Sequence, residues 1–231
     1  MKTIGLIGGM SWESTLSYYQ ALNLSVKAEL GGLHSAKIVL VSVDFAEIEK
    51  LQHLGEWDKT AAILSEAASG LEAANADFFM ICTNTMHKVA EQVQAKVNIP
   101  LLHIADATAE LLVKDGIKKV GLLGTQFTMS ESFYKGRLTE KYGIEVLTPS
   151  DDEQSIIHRV IYDELCQGVV NTQSRIAYVE IIEKLRESGA DAVILGCTEI
   201  ALLVKETDTN VRLYDTTAIH AEAAVKLALD S

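Results

Sequence analysis

Three short segments hold residue types whose order could support acid–base chemistry. In Gly196-Cys197-Thr198-Glu199, a glycine lets the backbone turn tightly beside a ligand, and a cysteine supplies a thiol that can become a base. A thiol titrates near about 8.5, and helix N-termini or nearby donors lower that value. Thr198 and Glu199 are read as the start of the next helix, whose free N–H groups suit a carboxylate. The plainer alternative is a cysteine buried as a small hydrophobe; its place beside glycine at a strand's carboxyl end favours chemistry. The counterpart is Thr83-Asn84-Thr85-Met86-His87: three short polar residues after an apolar run fit a helix cap or an anion site. Cys82 neighbours Thr83 on the strand, and strand neighbours point to opposite faces. If Thr83 faces a ligand, Cys82 faces the core. Cys166 lies near a helix end and reads as structural, with a place at the border of the site as the alternative. The turn Gly8-Gly9-Met10-Ser11-Trp12 lacks the spacing of a nucleotide loop, yet it can present backbone N–H groups to a small anion. His103 and His220 follow strand or helix patterns and read as satisfied structural histidines, whereas His87 could cap or polarise a neighbour.

These segments need a scaffold, and the chain alternates short apolar runs with longer amphipathic ones. Strands are predicted at Thr3–Ile7, Lys37–Val43, Asp77–Cys82, Pro100–Ile104, Lys119–Leu123, Ala192–Gly196 and Val211–Tyr214. Most are unbroken apolar runs, as parallel strands buried on both faces require. Between them lie helical patterns such as Leu64, Ala67, Ala68 and Leu71 at i, i+3, i+4 and i+7. The fold class is therefore α/β with mostly parallel sheets. The chain also echoes itself. Gly5-Leu6-Ile7-Gly8-Gly9 parallels Gly121-Leu122-Leu123-Gly124-Thr125, and Ile81-Cys82-Thr83-Asn84-Thr85 parallels Leu195-Gly196-Cys197-Thr198-Glu199. Gly8 precedes Thr83 by 75 residues and Gly124 precedes Cys197 by 73. The expectation is two pseudo-symmetric, Rossmann-like lobes, residues 1–115 plus 214–231 and residues 116–213, with the last helix packing back on the first lobe. One continuous sheet with two similar turns is the alternative. Ligands of open α/β sheets bind beyond the carboxyl ends of the strands, where both Thr83 and Cys197 fall.

Composition narrows the partners. The 231 residues carry a formal net charge of −12, which argues against nucleic acid or an anionic membrane, since both need clustered Lys and Arg. A small anion needs only a few local donors. No apolar run reaches the about 18 residues that span a bilayer, and the glycine-rich N-terminus reads as a first strand rather than an export signal. Three cysteines without such a signal suggest reduced thiols and a cytoplasmic location. No CxxC pair or close His/Cys cluster points to a metal.

Gly8-Gly9-Met10-Ser11-Trp12, Thr83-Asn84-Thr85-Met86-His87 and Gly196-Cys197-Thr198-Glu199, in this order and spacing, together resemble the aspartate/glutamate racemase family over essentially the whole chain. The resemblance implies an active site in the cleft between two α/β lobes, a homodimer, and no pyridoxal phosphate or metal. It also implies two residues that exchange a substrate α-proton from opposite faces. The second catalytic position is Cys197. The first, a cysteine in most members, is Thr83 here. Met10, Gln52, Asn84, Thr85, Thr125, Thr198 and Glu199 match family positions that line or approach the substrate. Many aspartate racemases carry a lysine near the position of Cys166, and its absence argues against strict aspartate specificity. The implied function is cofactor-independent racemisation of L-aspartate, L-glutamate or a broader amino-acid set. The rivals are a decarboxylase or isomerase of the same superfamily using Cys197 alone, a non-catalytic amino-acid-binding protein, and, more distantly, a nucleotide-binding oxidoreductase.

Overall fold

A computed structural model describes residues 1–230. It shows two separate parallel sheets, not one continuous sheet. In the first unit, strands β1 (Ile4–Gly8), β2 (Ile38–Ser42) and β3 (Phe78–Ile81) pair in the order β2-β1-β3. In the second, β4 (Lys119–Gly124), β5 (Glu145–Leu147), β6 (Ala192–Gly196) and β7 (Leu213–Asp215) pair in the order β5-β4-β6-β7. All pairs are parallel. Each unit thus has a central pair, β1 with β3 and β4 with β6, that ends in one of the glycine turns and one of the polar turns singled out above.

Two strands differ from expectation. The run Pro100–Ile104 makes a single bridge, Leu101 to Phe79, and Ile104 already begins the helix Ile104–Lys114. Pro100 has no N–H to give a ladder, so the segment's backbone bonds to β3 are only the Phe79 N–H to the Pro100 carbonyl (3.0 Å) and the Leu102 N–H to the Phe79 carbonyl (2.9 Å). Strand β5, which the sequence reading does not contain, is three residues at a sheet edge without a fully buried position, too short for an apolar run to mark it.

The chain divides into Met1–Ile104 with the segment from His220 onward, and Ala105–Ile219. The helix Ile104–Lys114, read from sequence with the first lobe, falls almost wholly in the second unit, where ion pairs tie it. Asp106 takes a two-pronged contact from Arg137, Nε to Oδ1 at 2.6 Å and Nη2 to Oδ2 at 2.7 Å, plus Lys141 Nζ at 3.0 Å. Just past the helix, Asp115 receives the Tyr214 hydroxyl at 2.7 Å and pairs with Arg212.

Burial follows the sequence pattern. In the helix Trp57–Ala73, Leu64, Ala67, Ala68 and Leu71 are buried, as their spacing predicts. They join Ile7, Ile48, Phe79 and Ile81 on one face of the first sheet. The other face packs Ile4, Leu6, Tyr18, Phe78 and Cys82 against Ala221, Ala224, Val225 and Ala228 of the last helix, Thr216–Leu229. Each fully buried Ile or Leu contributes roughly 2 kcal/mol, so a face of this size anchors the strand ends. In the second unit one cluster surrounds Leu123, Val193 and Leu195 and includes Cys197. Among the described residues, no helix is long and apolar enough to cross a membrane.

Candidate active site

In the first unit, the carboxyl ends of β1 and β3 are tied by short-range bonds. Gly9 has φ +90°, and a Cβ there would lie 2.2 Å from the Val43 carbonyl oxygen, so only glycine fits. Its N–H donates to Thr15 Oγ1 (2.8 Å). Ser11 caps the helix Trp12–Leu30 through the Ser14 N–H. Beyond β3, Cys82 is fully buried among Leu6, Tyr18 and Met80, and burial pushes its thiol well up; it is a core residue. Thr83 is half-buried. Asn84 and Thr85 are buried, and Thr85–Val89 forms a tight 3₁₀ turn. Met10 is buried in one apolar cluster with Ile48 and Met86. Gln52, also buried, points its amide Nε2 at Met86 Sδ (3.0 Å). Met10, Gln52 and the Thr83–Met86 turn therefore share one end of the first sheet.

His87 organises that turn. The Ile104 N–H donates to its Nε2 (3.3 Å), so Nδ1 carries the proton and donates to the Thr83 carbonyl at 2.8 Å. A neutral imidazole of fixed tautomer thus clamps Thr83, the role that stood open between capping and polarising. His220 is fixed in the same way: Nε2–H donates to the Leu102 carbonyl (2.8 Å) and Nδ1 accepts from the Tyr18 hydroxyl (2.9 Å). Burial, then the neighbouring His87, push its pKa down to about 3. His220 is the structural histidine that its helical position predicts, and the His103 ring meets the His87 ring at a tilt, their centroids 4.5 Å apart.

In the second unit, Gly124 and Gly196 stand opposite in the β4–β6 register. A Cβ on Gly196 would sit 2.7 Å from the Leu123 carbonyl oxygen, and one on Gly124 2.9 Å from the Gly196 carbonyl oxygen; the strands close up only because both are glycine. Thr125 follows Gly124 and caps the short helix Gln126–Ser130 through the Thr128 N–H. Cys197 follows Gly196 with 8% of its surface exposed. Its thiol donates to Glu199 Oε2 at 3.0 Å, and the Thr198 hydroxyl donates to the same oxygen at 2.6 Å. Glu199 itself is only 2% exposed. The helix after it, Ile200–Leu203, has four residues, too short to act as the helix N-terminus expected beside the thiol. Burial first, then the Glu199 carboxylate and Cys166, raise the Cys197 thiol well above its ordinary value. That is opposite to the lowering expected from sequence: a short helix offers little dipole, while burial and a like charge both oppose the thiolate. The resting group is a thiol.

Sequence reasoning missed the surroundings of Thr125. His158, Tyr162 and Cys166 recur every four residues and are half-buried. The Gln126 N–H donates to His158 Nδ1 (3.2 Å), and the His158 ring meets Phe127 (6.0 Å) and Tyr162 (4.8 Å). Cys166 packs against the cluster that contains Cys197. The four-residue spacing was the available signal. Among the described residues no group of three or more His, Cys, Asp or Glu is placed to hold a metal ion.

Against known proteins, a family model described as Asp/Glu/hydantoin racemase matches residues 7–224. A Yersinia pestis structure provisionally designated an Asp/Glu racemase is 56% identical, with all of both chains covered and a TM-score of 0.92. An aspartate racemase homologue from Pyrococcus horikoshii is 39% identical over all of both chains, TM-score 0.85. The broad-specificity amino-acid racemase RacX of Bacillus subtilis is 24% identical across 75% of this chain and 74% of its own.

Proposed function

The chain belongs to the Asp/Glu/hydantoin racemase family, as an isomerase of the racemase type, and from that premise we propose that it is a cofactor-independent amino-acid racemase that uses Cys197 and Thr83 as its two proton-transferring groups. The observation that carries this reading is the Cys197 thiol: it follows β6 on a glycine turn, at the strand end where open α/β sheets bind ligands, and it is already engaged as a proton donor.

Racemisation removes a weakly acidic α-proton from one face and returns a proton on the other, so one group is base while its partner is acid. A cysteine suits both roles, because thiol and thiolate are both accessible. A threonine hydroxyl donates but is a poor base. The enzyme is therefore unequal: turnover in which Cys197 removes the proton and Thr83 supplies one runs faster than the reverse. The His87–Thr83 carbonyl bond supports Thr83 as a held rather than a wandering donor. Donors from Asn84, Thr85, Thr125 and Thr198 bind the α-carboxylate and its enolate-like form, and Met10 and Gln52 shape the room for the side chain. No lysine stands near Cys166, and likeness to a broad-specificity racemase supports a substrate set of L-aspartate, L-glutamate and further amino acids. We place the enzyme in the cytoplasm as a homodimer; Trp12, Leu16 and Tyr19, exposed along one face of the helix Trp12–Leu30, suit such an association.

The test is conversion of each enantiomer of aspartate, glutamate and a panel of other amino acids by purified protein without added cofactor, followed by chiral chromatography. Appearance of the opposite enantiomer, faster from one side, supports the reading. Binding without conversion across the panel would leave an amino-acid-binding protein, and release of carbon dioxide from a malonate-type acid would move it to decarboxylation.

A further inference from the structure

The helix Gln126–Ser130, which Thr125 opens, has five residues. Helices shorter than about 12 residues are marginal in water, so something outside must hold this one in place. We propose that His158 is a positioning residue for the substrate: from the neighbouring helix Asp151–Asp163 it fixes the turn at Thr125, and with it the hydroxyl that meets the substrate carboxylate. The inference rests on the reading that Thr125 binds the substrate.

The geometry is a bracket. Gln154, His158 and Tyr162 recur every four residues on one face of the helix Asp151–Asp163. At the start of the short helix, the Gln126 N–H donates to His158 Nδ1 at 3.2 Å; at its end, the Ser130 hydroxyl donates to Gln154 Oε1 at 3.0 Å. Gln154 is itself fixed, its Nε2 donating to the Pro149 carbonyl at 2.8 Å. The His158 ring meets Phe127 nearly edge-on, with planes 76° apart, and lies tilted against Tyr162. The first N–H groups of a helix have no partner within it. Thr125 Oγ1 takes the Thr128 N–H (3.3 Å), and His158 takes the Gln126 N–H from 32 residues further along the chain. That second bond fixes the Thr125–Gln126 peptide plane, the backbone on which the Thr125 hydroxyl is mounted.

The platform is firmer than the piece it holds. The helix Asp151–Asp163 is capped by the Glu153 carboxylate, which accepts the Ser150 N–H at 3.1 Å. The buried Tyr178 hydroxyl donates to the Ile157 carbonyl at 2.9 Å, one residue before His158, and Lys184 pairs with Glu153 at 2.7 Å. To accept from Gln126, His158 must keep Nδ1 without a proton, so Nε2 carries it.

His158→Leu keeps much of the volume and removes the acceptor, whereas His158→Asn keeps one, because its Oδ1 stands where Nδ1 does. Steady-state kinetics with L-aspartate compare the two. In the leucine variant KM is expected to rise about tenfold, the weight of one hydrogen bond, with kcat within about twofold of wild type. The asparagine variant should bring KM back to within about twofold of wild type. A KM unchanged by leucine, or raised equally by leucine and asparagine, would overturn the proposal. So would a fall in kcat at the wild-type KM, which reports only a loss of folded enzyme. Should the leucine variant fail to fold, two-bond proton–nitrogen NMR of the wild-type His158 ring at pH 8 decides: a ring protonated at Nε2 alone supports the bracket, and a proton on Nδ1 overturns it. If the wild-type protein converts no amino acid, the racemase reading fails, and calorimetry with L-aspartate replaces KM. A Kd weakened by leucine and restored by asparagine then still supports His158, and equal Kd values overturn it.

Discussion

Acidification from pH 7 to pH 5 is expected to destabilise the first unit through His220. Its ring is fully buried, and both nitrogens are committed, Nε2–H to the Leu102 carbonyl and Nδ1 to the Tyr18 hydroxyl. In the unfolded chain a histidine titrates near about 6.5; in the fold this one titrates at about 3. A base whose folded pKa is depressed binds fewer protons folded than unfolded. Stability from this group is therefore complete above pH 6.5 and is lost as pH falls toward 3. The slope is about 1.4 kcal/mol per pH unit inside that window, so moving from pH 7 to 5 costs about 2 kcal/mol. Asp215 works the other way: burial raises its carboxyl, so protonation at falling pH favours the folded state. Urea unfolding at pH 7 and pH 5, compared between wild type and His220→Gln, cancels Asp215 and the other titrating groups. The glutamine amide can donate to the Leu102 carbonyl and accept from Tyr18 without ionising. The loss of stability between the two pH values should shrink by about 2 kcal/mol in the variant. An unchanged loss would refute the reasoning, and with it the account of His220 as a neutral structural strut.

Three further outcomes are expected. Gly9→Ala forces a Cβ to within 2.2 Å of the Val43 carbonyl oxygen at φ +90°; backbone strain alone costs about 1–3 kcal/mol, and a thermal midpoint equal to wild type would contradict the turn described. Arg137→Ala removes both contacts to the largely buried Asp106, with Lys141 left as a partner, and should cost about 1–2 kcal/mol in chemical unfolding; no change would mean that the helix Ile104–Lys114 is held by packing alone. Thr83→Cys should raise kcat in the slow direction, read by chiral chromatography from each enantiomer; no gain would show that Thr83 only binds.

Much of the scaffold was legible in the sequence because buried parallel strands must be apolar on both faces. Ile4–Gly8, Phe78–Ile81 and Ala192–Gly196 stand out for that reason, and the paired glycine turns announced the two sheets. Leu101 and β5 were misread because a single bridge and a three-residue edge strand leave almost no pattern. The two polar turns were legible as residue types placed after apolar runs. The state of the thiol was not: whether Cys197 meets a helix dipole or a carboxylate depends on how far the helix after Glu199 extends and on which way a single carboxyl group rotates. Likewise His87 reads from sequence as any histidine, and only the Ile104 N–H fixes where its proton sits.

The most direct test of the central claim is proton NMR of L- and D-aspartate and glutamate in D2O, with wild-type protein and with Cys197→Ser. The account predicts loss of the α-proton signal with wild type, faster from one enantiomer than from the other, and no loss with the variant in either direction. Exchange by Cys197→Ser at the wild-type rate would contradict it.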